Sequence, residues 1–305
     1  MLINGKILTL ATGQFIRHNS PHRFFPQKEH PLTVCIAASC EDGKHVVVAA
    51  DRMFTVGPPL NVEFEPPLSK IEAMSSSCVA MGAGNGLFVN EIFQRARLAY
   101  QNFPAAKVDQ IANCVKDAYA KFRDENIEEQ IIRPTLGPDF IAFRSRGGTI
   151  PAYLQVQPGI YQQIIVQSNQ FNLGVEVIVT GIDDTGSHVY YVGHPGIVIS
   201  FDKIGYNAVG SGATHVAIKF ALDCLHPKTP LEDVLLAVYS AKKAAEVAPG
   251  VGQETEIKVI SLNEIWPAPD ALIGTLKDAQ SEGANKSKPN AQKVKAEYAK
   301  LRKSA

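Results

Sequence analysis

The chain lacks the features that mark several large classes of protein. It has no apolar run near the ~18 residues that a membrane-spanning helix needs, and its N-terminal stretch has neither a basic start nor a continuous apolar run suited to export. Its 30 basic and 30 acidic residues cancel, so no overall positive field attracts nucleic acid. Its five cysteines are odd in number and lack metal-ligand spacing. We therefore expect a cytoplasmic protein with reduced thiols, without a cofactor or metal, and without a nucleic-acid or membrane partner.

Three common hydrolase motifs are also missing. The sequence contains no His-Glu-x-x-His, no Gly-x-Ser-x-Gly and no phosphate-binding Gly-Lys-Ser or Gly-Lys-Thr. Zinc peptidase, serine hydrolase and nucleotidase chemistries therefore have no support. The stretch MGAGNG, residues 81–86, resembles a dinucleotide-binding loop only superficially, because no βαβ unit surrounds it.

The two ends of the chain differ in composition from its middle. Residues 1–32 contain three histidines, several prolines and no sustained periodicity, which predicts an irregular N-terminal segment. From Lys277 onward there are eight basic and three acidic residues, so we predict that residues 266–305 form a basic C-terminal tail that is mobile or loosely helical. Residues 33–265 remain as the predicted folded domain.

Short strands and amphipathic helices alternate within this domain. Apolar patterns predict strands at 33–40 and 44–50, two further strands, and then a pair of helices. The same order recurs after residue 172 and ends on a final strand. Each sheet has to cover one face with helices and the other with its partner sheet, so the order predicts an α/β fold, a four-layer α/β/β/α sandwich of two antiparallel sheets. The segment 128–172 is too long for a connection and is predicted to be an added lobe.

Four stretches within this pattern resemble one known family. TVCIAASCEDGKHVVVAADR, SKIEAMSSSCVAMGAGNG, VTGIDDTGSHVYYVGHPG and NAVGSGATHVAIKF follow one another as in the β-type subunits of the proteasome family. Among its members the chain is most similar to the small bacterial ones, HslV and the ancestral β-subunit group Anbu. The likeness covers residues 33–262 apart from the insert at 128–172. It implies the fold of the N-terminal nucleophile hydrolases.

The family's nucleophile is a threonine at the first position of the mature chain, and Thr33 matches it by position. The α-amine of that threonine acts as the base, because a hydroxyl alone is too weakly acidic to attack an amide. A free α-amine titrates near ~8, so a useful fraction is neutral at physiological pH. Taken alone, Thr33 could also be an ordinary β-branched strand residue.

Asp51 and Lys70 match the family's charged pair. The lysine lowers the cost of forming the alkoxide and keeps the threonine amine neutral, and the aspartate orients the lysine. The loop between Thr55 and Lys70 is a few residues longer than in the family, which leaves the match of Lys70 open to a shift. The alternative for both residues is that they are solvated charges at strand ends.

Gly82 and Ser211 match two supporting residues of the family. Gly82 corresponds to the glycine whose backbone N–H points at the oxyanion, a contribution of ~3 kcal/mol in such sites. Ser211 corresponds to a serine that hydrogen-bonds near the threonine amine, and it could also be a helix N-cap. The resemblance assigns the walls of a substrate pocket to Phe54, Thr55, Ala80 and Gly84. One departure is that Glu246 and Pro249 stand where the family often has an Asp and a Ser.

The resemblance implies a threonine-type endopeptidase that acts on peptides or unfolded proteins, within a homo-oligomeric ring or spiral. An ATPase partner is left open. Two alternatives remain, a catalytically silent structural subunit that keeps residues 1–32, and an amidohydrolase of the same fold that acts on a small amide. An active enzyme needs Thr33 as its first residue. Either residues 1–32 are a propeptide cut after Leu32, or translation starts at Leu32 and the preceding residues are a gene-start artefact.

Overall fold

The structure is a computed structural model that describes most of the chain. The described residues are 33–56, 60, 62–66, 68–101, 107–137, 140–141, 158–285 and 291–304. The predicted irregular segment 1–32 lies outside them, as does much of the predicted insert. In the part of the chain that the structure describes, no helix is both long and apolar enough to cross a membrane.

Two antiparallel sheets of five strands each form the centre of the molecule. The strands are β1 (Cys35–Cys40), β2 (His45–Ala50), β3 (Phe54–Val56), β4 (Val62–Phe64), β5 (Ile71–Ser75), β6 (Cys78–Ala83), β7 (Glu176–Asp183), β8 (Gly186–Gly193), β9 (Ile197–Ser200), β10 (Tyr206–Val209), β11 (Glu256–Ser261) and β12 (Glu264–Pro267). The first sheet has the order β10-β1-β2-β11-β12 and the second the order β5-β6-β7-β8-β9. Strands β3 and β4 form a separate short hairpin.

Helices lie before, between and after the strands of the second half. They are α1 (Gly86–Tyr100), α2 (Val108–Ile127), α3 (Arg133–Leu136), α4 (Pro158–Gln170), α5 (Ala213–Leu222), α6 (Leu231–Ala245), α7 (Asp270–Asn285) and α8 (Ala291–Ser304). Local chemistry fixes several ends. The Asn85 side chain accepts the Leu87 N–H at 3.0 Å and caps α1. Glu232 and Asp233 occupy the first turn of α6, where negative charge complements the helix dipole.

Three buried apolar clusters divide the molecule into layers. Because successive strand residues point to opposite faces, Ile36 of β1 packs against helices α5 to α8 while Cys35 packs between the two sheets. On the second sheet, Met81 of β6 lies in the same cluster as Cys35, whereas Ala80 packs under α1 and α2. The sheets therefore share one apolar interface, and each covers its outer face with helices.

The predicted α/β class, with two antiparallel sheets between helices, is confirmed at this level. The finer assignment to the N-terminal nucleophile hydrolase fold stays a prediction. All five cysteines are free thiols, and Cys35, Cys40 and Cys78 are buried. The sequence patterns do not predict β3, β4 and β12, because strands of three or four residues are too short to show an alternation.

The predicted mobile tail instead contributes to the core. Leu272 and Leu276 of α7 and Val294 of α8 are fully buried in the cluster that covers the first sheet. Tyr298 stacks edge-on against Trp266, with ring centroids 5.3 Å apart. The tail was predicted to be mobile or loosely helical, and it is helical. The count of its charges did not show that its buried apolar residues share one face of each helix. These contacts do not test whether the domain ends at residue 265, as predicted.

The described part of the 128–172 insert is helical. A π-helical turn, Glu128–Ile132, joins α2 to α3, and the side chains of Leu136, Phe140 and Ile164 form a small separate apolar cluster with α4. The Arg123 guanidinium of α2 donates to the Ser168 carbonyl at 2.8 Å, which ties the end of α4 to the second helix layer.

The packing of α7 predicts a large cost for shortening one of its leucines. Leu276→Ala should lower the free energy of unfolding by ~2–5 kcal/mol, because it leaves a cavity in a filled core. Leu222→Ala is the matched control, since Leu222 also lies in a helix but is 76% exposed, and it should change stability by less than ~1 kcal/mol. Denaturant unfolding measures both values. Equal, small effects would contradict the packing of α7.

Candidate active site

The start of β1 meets the ends of β2 and β10. Both pairings are antiparallel, with Cys35 opposite Ala50 on one side and Val209 on the other. The ladder continues one step further, since the Asp51 N–H donates to the Val34 carbonyl at 3.3 Å. Thr33, Asp51 and Ser211, which flank these three strand ends, are therefore brought to one place by the first sheet.

The hydroxyl of Thr33 lies between a carboxylate and an ammonium group. Its Oγ1 donates to Asp51 Oδ1 and accepts from Lys70 Nζ. Lys70 Nζ also donates to Asp51 Oδ1 at 2.8 Å. The Asp51 and Lys70 side chains are 0% and 8% exposed, so they are not solvated strand-end charges. The three predicted residues form one buried cluster.

Among the described residues, every hydrogen bond to the Asp51 carboxylate comes from a donor. In addition to Thr33 and Lys70, the Val34 N–H donates to Oδ1 at 3.2 Å and the Gly252 N–H donates to Oδ2 at 2.8 Å. An ionised carboxylate accepts hydrogen bonds and donates none. The arrangement therefore suits a negative charge on Asp51, which offsets the positive charge on Lys70.

The carbonyl of Thr33 is held by the turn after β10. The Gly212 N–H donates to it at 3.3 Å. The single hydroxyl proton of Ser211 is directed at the Pro249 carbonyl, 2.8 Å away, and Ser211 Oγ lies 3.4 Å from the Thr33 carbonyl oxygen. The N-cap of α5 is Gly212, without a side-chain cap. The hydroxyl of Ser211 is therefore used on carbonyl groups around Thr33 and does not cap the helix.

Gly210 allows the close approach of this turn to Thr33. Its φ is +96°, and a Cβ at this position would lie 2.2 Å from the Thr33 carbonyl oxygen. The Glu176 carboxylate accepts the Gly210 N–H at 3.1 Å. Both the conformation and the crowding require glycine.

Gly82 lies at the same end of its sheet as Lys70. Strand β5 pairs Ile71 with Met81, so the preceding and following residues, Lys70 and Gly82, come next in register. A Cβ on Gly82 would lie 2.4 Å from Cγ1 of Val89, so glycine also lets α1 pack on β6. The predicted role of its N–H as an oxyanion donor stays a prediction.

The contacts of the described residues do not place the predicted pocket residues along one wall. Phe54 packs over Gly86, whose added Cβ would lie 2.3 Å from the ring. Gly84 has φ +114° and lies against the Gly174 carbonyl. Ala80 is fully buried under the helices and has no exposed surface. The side chain of Thr55 lies outside the described residues.

The cysteine nearest the cluster is not a competing nucleophile. Burial raises the pKa of Cys35 to about 12, and the charges of Lys70 and Asp51 act on it in opposite directions. The thiol therefore stays protonated at physiological pH, and thiolate is the reactive form. Its Sγ contacts the Gly82 carbonyl at 3.6 Å.

Sequence reasoning missed the residues that support the cluster from behind. Gly252 supplies a backbone N–H, which has no sequence signature. Lys242 is fully buried and contacts the loop that contains Gly252. The sequence does mark Lys242 as unusual. It falls on the apolar face of α6, and Glu246, four residues later, is placed to pair with it.

Comparison with protein-family models and with curated proteins finds no match to the chain. The resemblance to the proteasome family therefore rests on the sequence motifs and stays a prediction.

The crowding at Gly210 predicts a site-specific loss of stability. Gly210→Ala should destabilise the chain more than Gly186→Ala, by a further ~1–3 kcal/mol, because only the first places a methyl group against the Thr33 carbonyl. Gly186 is the matched control, with φ +120° and no atom within 4 Å of an added Cβ. Thermal or denaturant unfolding gives both values. Equal costs would mean that the turn does not lie against Thr33.

Proposed function

We propose that this protein is a threonine-type peptidase whose nucleophile is Thr33 Oγ1. The observation that carries the proposal is the position of this hydroxyl between Lys70 Nζ and Asp51 Oδ1 in a buried cluster. A structural threonine at the start of a strand needs no ion pair beside it. The two antiparallel sheets between helices support the N-terminal nucleophile hydrolase fold as part of the same proposal.

In the proposed reaction, Thr33 Oγ1 attacks the carbonyl carbon of a peptide bond and its proton passes to the α-amine of Thr33. The positive charge of Lys70 stabilises the alkoxide that develops and favours the neutral amine. The Gly82 N–H stabilises the oxyanion of the tetrahedral intermediate. The intermediate collapses to an ester on Thr33, and the leaving amine takes the proton. Water then attacks the ester carbonyl carbon and gives a proton to the α-amine. The ester bond breaks, the acid product leaves and Thr33 Oγ1 takes back its proton.

This chemistry requires that Thr33 begin the active chain, because an amide nitrogen bonded to Leu32 cannot act as a base. A free α-amine titrates near ~8 and is partly neutral at physiological pH. The proposal includes peptides or unfolded proteins as substrates. Assembly into a ring or spiral and the cytoplasmic location stay predictions, and an ATPase partner stays open.

Replacing the nucleophile should remove activity without unfolding the chain. In protein that begins at Thr33, Thr33→Ala should lower hydrolysis of a fluorogenic peptide amide by a factor on the order of 10³ or more. Lys70→Met should lower it by roughly 10²–10³, comparable to loss of one oxyanion donor. Thr33→Ala should unfold at a temperature close to that of the parent chain.

Thr180→Ala is the matched control, because Thr180 is also a fully buried strand threonine and its hydroxyl donates to the His188 carbonyl at 2.7 Å. It should cost ~1 kcal/mol in stability and keep its peptidase rate below the unfolding transition. A Thr33→Ala protein as active as the parent would defeat the nucleophile assignment. A parent chain that is inert on peptides but cleaves a small amide would favour an amidohydrolase, and one inert on both would favour a silent subunit.

A further inference from the structure

One loop contacts two of the groups that support Thr33. We call residues Glu246–Gln253 the brace loop. Its Gly252 N–H donates to Asp51 Oδ2 at 2.8 Å, and its Pro249 carbonyl accepts from the Ser211 hydroxyl at 2.8 Å. The loop therefore contacts both the carboxylate that pairs with Lys70 and the serine beside the Thr33 carbonyl.

The brace loop is held from behind by a buried lysine of α6. Lys242 is 0% exposed, and its Nζ donates to the Gly252 carbonyl at 2.8 Å, to the Gln253 carbonyl at 2.9 Å and to the Glu246 carboxylate. These three acceptors use all three N–H groups of the ammonium. Burial lowers the pKa of Lys242, and the ion pair with Glu246 opposes that shift.

A buried ion pair is a weak source of stability, because the cost of removing two charges from water largely offsets their attraction. An apolar side chain of similar size would fill the same space. It would, however, leave the carbonyls of Gly252 and Gln253 without this hydrogen-bond donor. The brace loop could then move to positions in which these carbonyls accept from other donors. The hydrogen bonds from Lys242 Nζ to these two carbonyls therefore fix the position of the brace loop.

We propose that Lys242 and Glu246 are positioning residues that set Asp51 through the Gly252 N–H. The inference rests on the proposed peptidase function, since its consequence is the placement of Lys70 and Thr33 by Asp51. Lys242 Nζ fixes the carbonyl of Gly252 while the N–H of the same residue contacts Asp51. In the part of the chain that the structure describes, Lys242 makes no hydrogen bond to Thr33 or Lys70, so its link to Asp51 runs through Gly252 of the brace loop.

The neighbouring lysine supplies a matched control. Lys243 Nζ also contacts the Glu246 carboxylate, at 2.7 Å, and the Gln253 carbonyl, at 3.1 Å. Its side chain is 27% exposed, and it makes no hydrogen bond to Gly252. The two lysines thus differ in the one contact that reaches Asp51.

The test compares Lys242→Met with Lys243→Met in chain that begins at Thr33. Hydrogen–deuterium exchange of a peptide spanning residues 247–256 should be at least about tenfold faster in Lys242→Met, because the loop loses its anchor. The kcat for a fluorogenic peptide should fall roughly 10- to 100-fold with KM within about threefold, since small displacements of catalytic groups cost this much. Lys243→Met should stay within about twofold of the parent in both measurements.

If Lys242→Met does not fold, Glu246→Gln keeps the side-chain volume and weakens the same anchor. It should shift exchange and kcat in the same direction, by about tenfold or less. Unchanged exchange in the brace loop, or faster exchange with an unchanged kcat, would overturn the inference. Equal losses in the Lys242 and Lys243 variants would also overturn it, because they would indicate a general effect of charge on α6. An inert parent chain would defeat the proposed function itself, and the exchange data would still show whether Lys242 anchors the loop.

Discussion

The buried carboxylate of Asp51 is the constraint on which the candidate site depends. A carboxylate without solvent is costly unless its oxygens are satisfied, and the donors to Asp51 come from Thr33, Val34, Lys70 and Gly252. These residues belong to the start of β1, the approach to β5 and the loop before β11. The two sheets must therefore stack in the observed register for the charge to be accommodated, so the fold and the site impose the same requirement.

The same constraint explains why the site suits acid–base chemistry on a hydroxyl. Lys70 Nζ lies beside the Asp51 carboxylate in a place that water does not reach freely, so the electrostatic interaction of this pair with Thr33 Oγ1 is little screened. The turn around Gly210 and Ser211 fixes the other end of Thr33 through its carbonyl. Thr33 is held at both ends, which limits the reorganisation that the proposed attack on a peptide bond requires.

Side chains with a distinctive role could be predicted from the sequence, and backbone contacts could not. Motif order predicted that Thr33, Asp51 and Lys70 lie together, as they do, even though the loop before Lys70 is longer than in the family. Their catalytic roles stay predictions. Gly252 was missed because its contribution is an N–H that any residue but proline has. The tail was expected to be mobile because its charge count hides the apolar positions of α7 and α8.

The central claim is that Thr33 acts as an N-terminal nucleophile, and the intact mass of the protein purified from its own cell tests it most directly. We expect a mass that corresponds to a chain beginning at Thr33, in protein that hydrolyses peptides. A mass that includes residues 1–32 at full occupancy, in protein with the same activity, would contradict it, because the nitrogen of Thr33 would then be an amide.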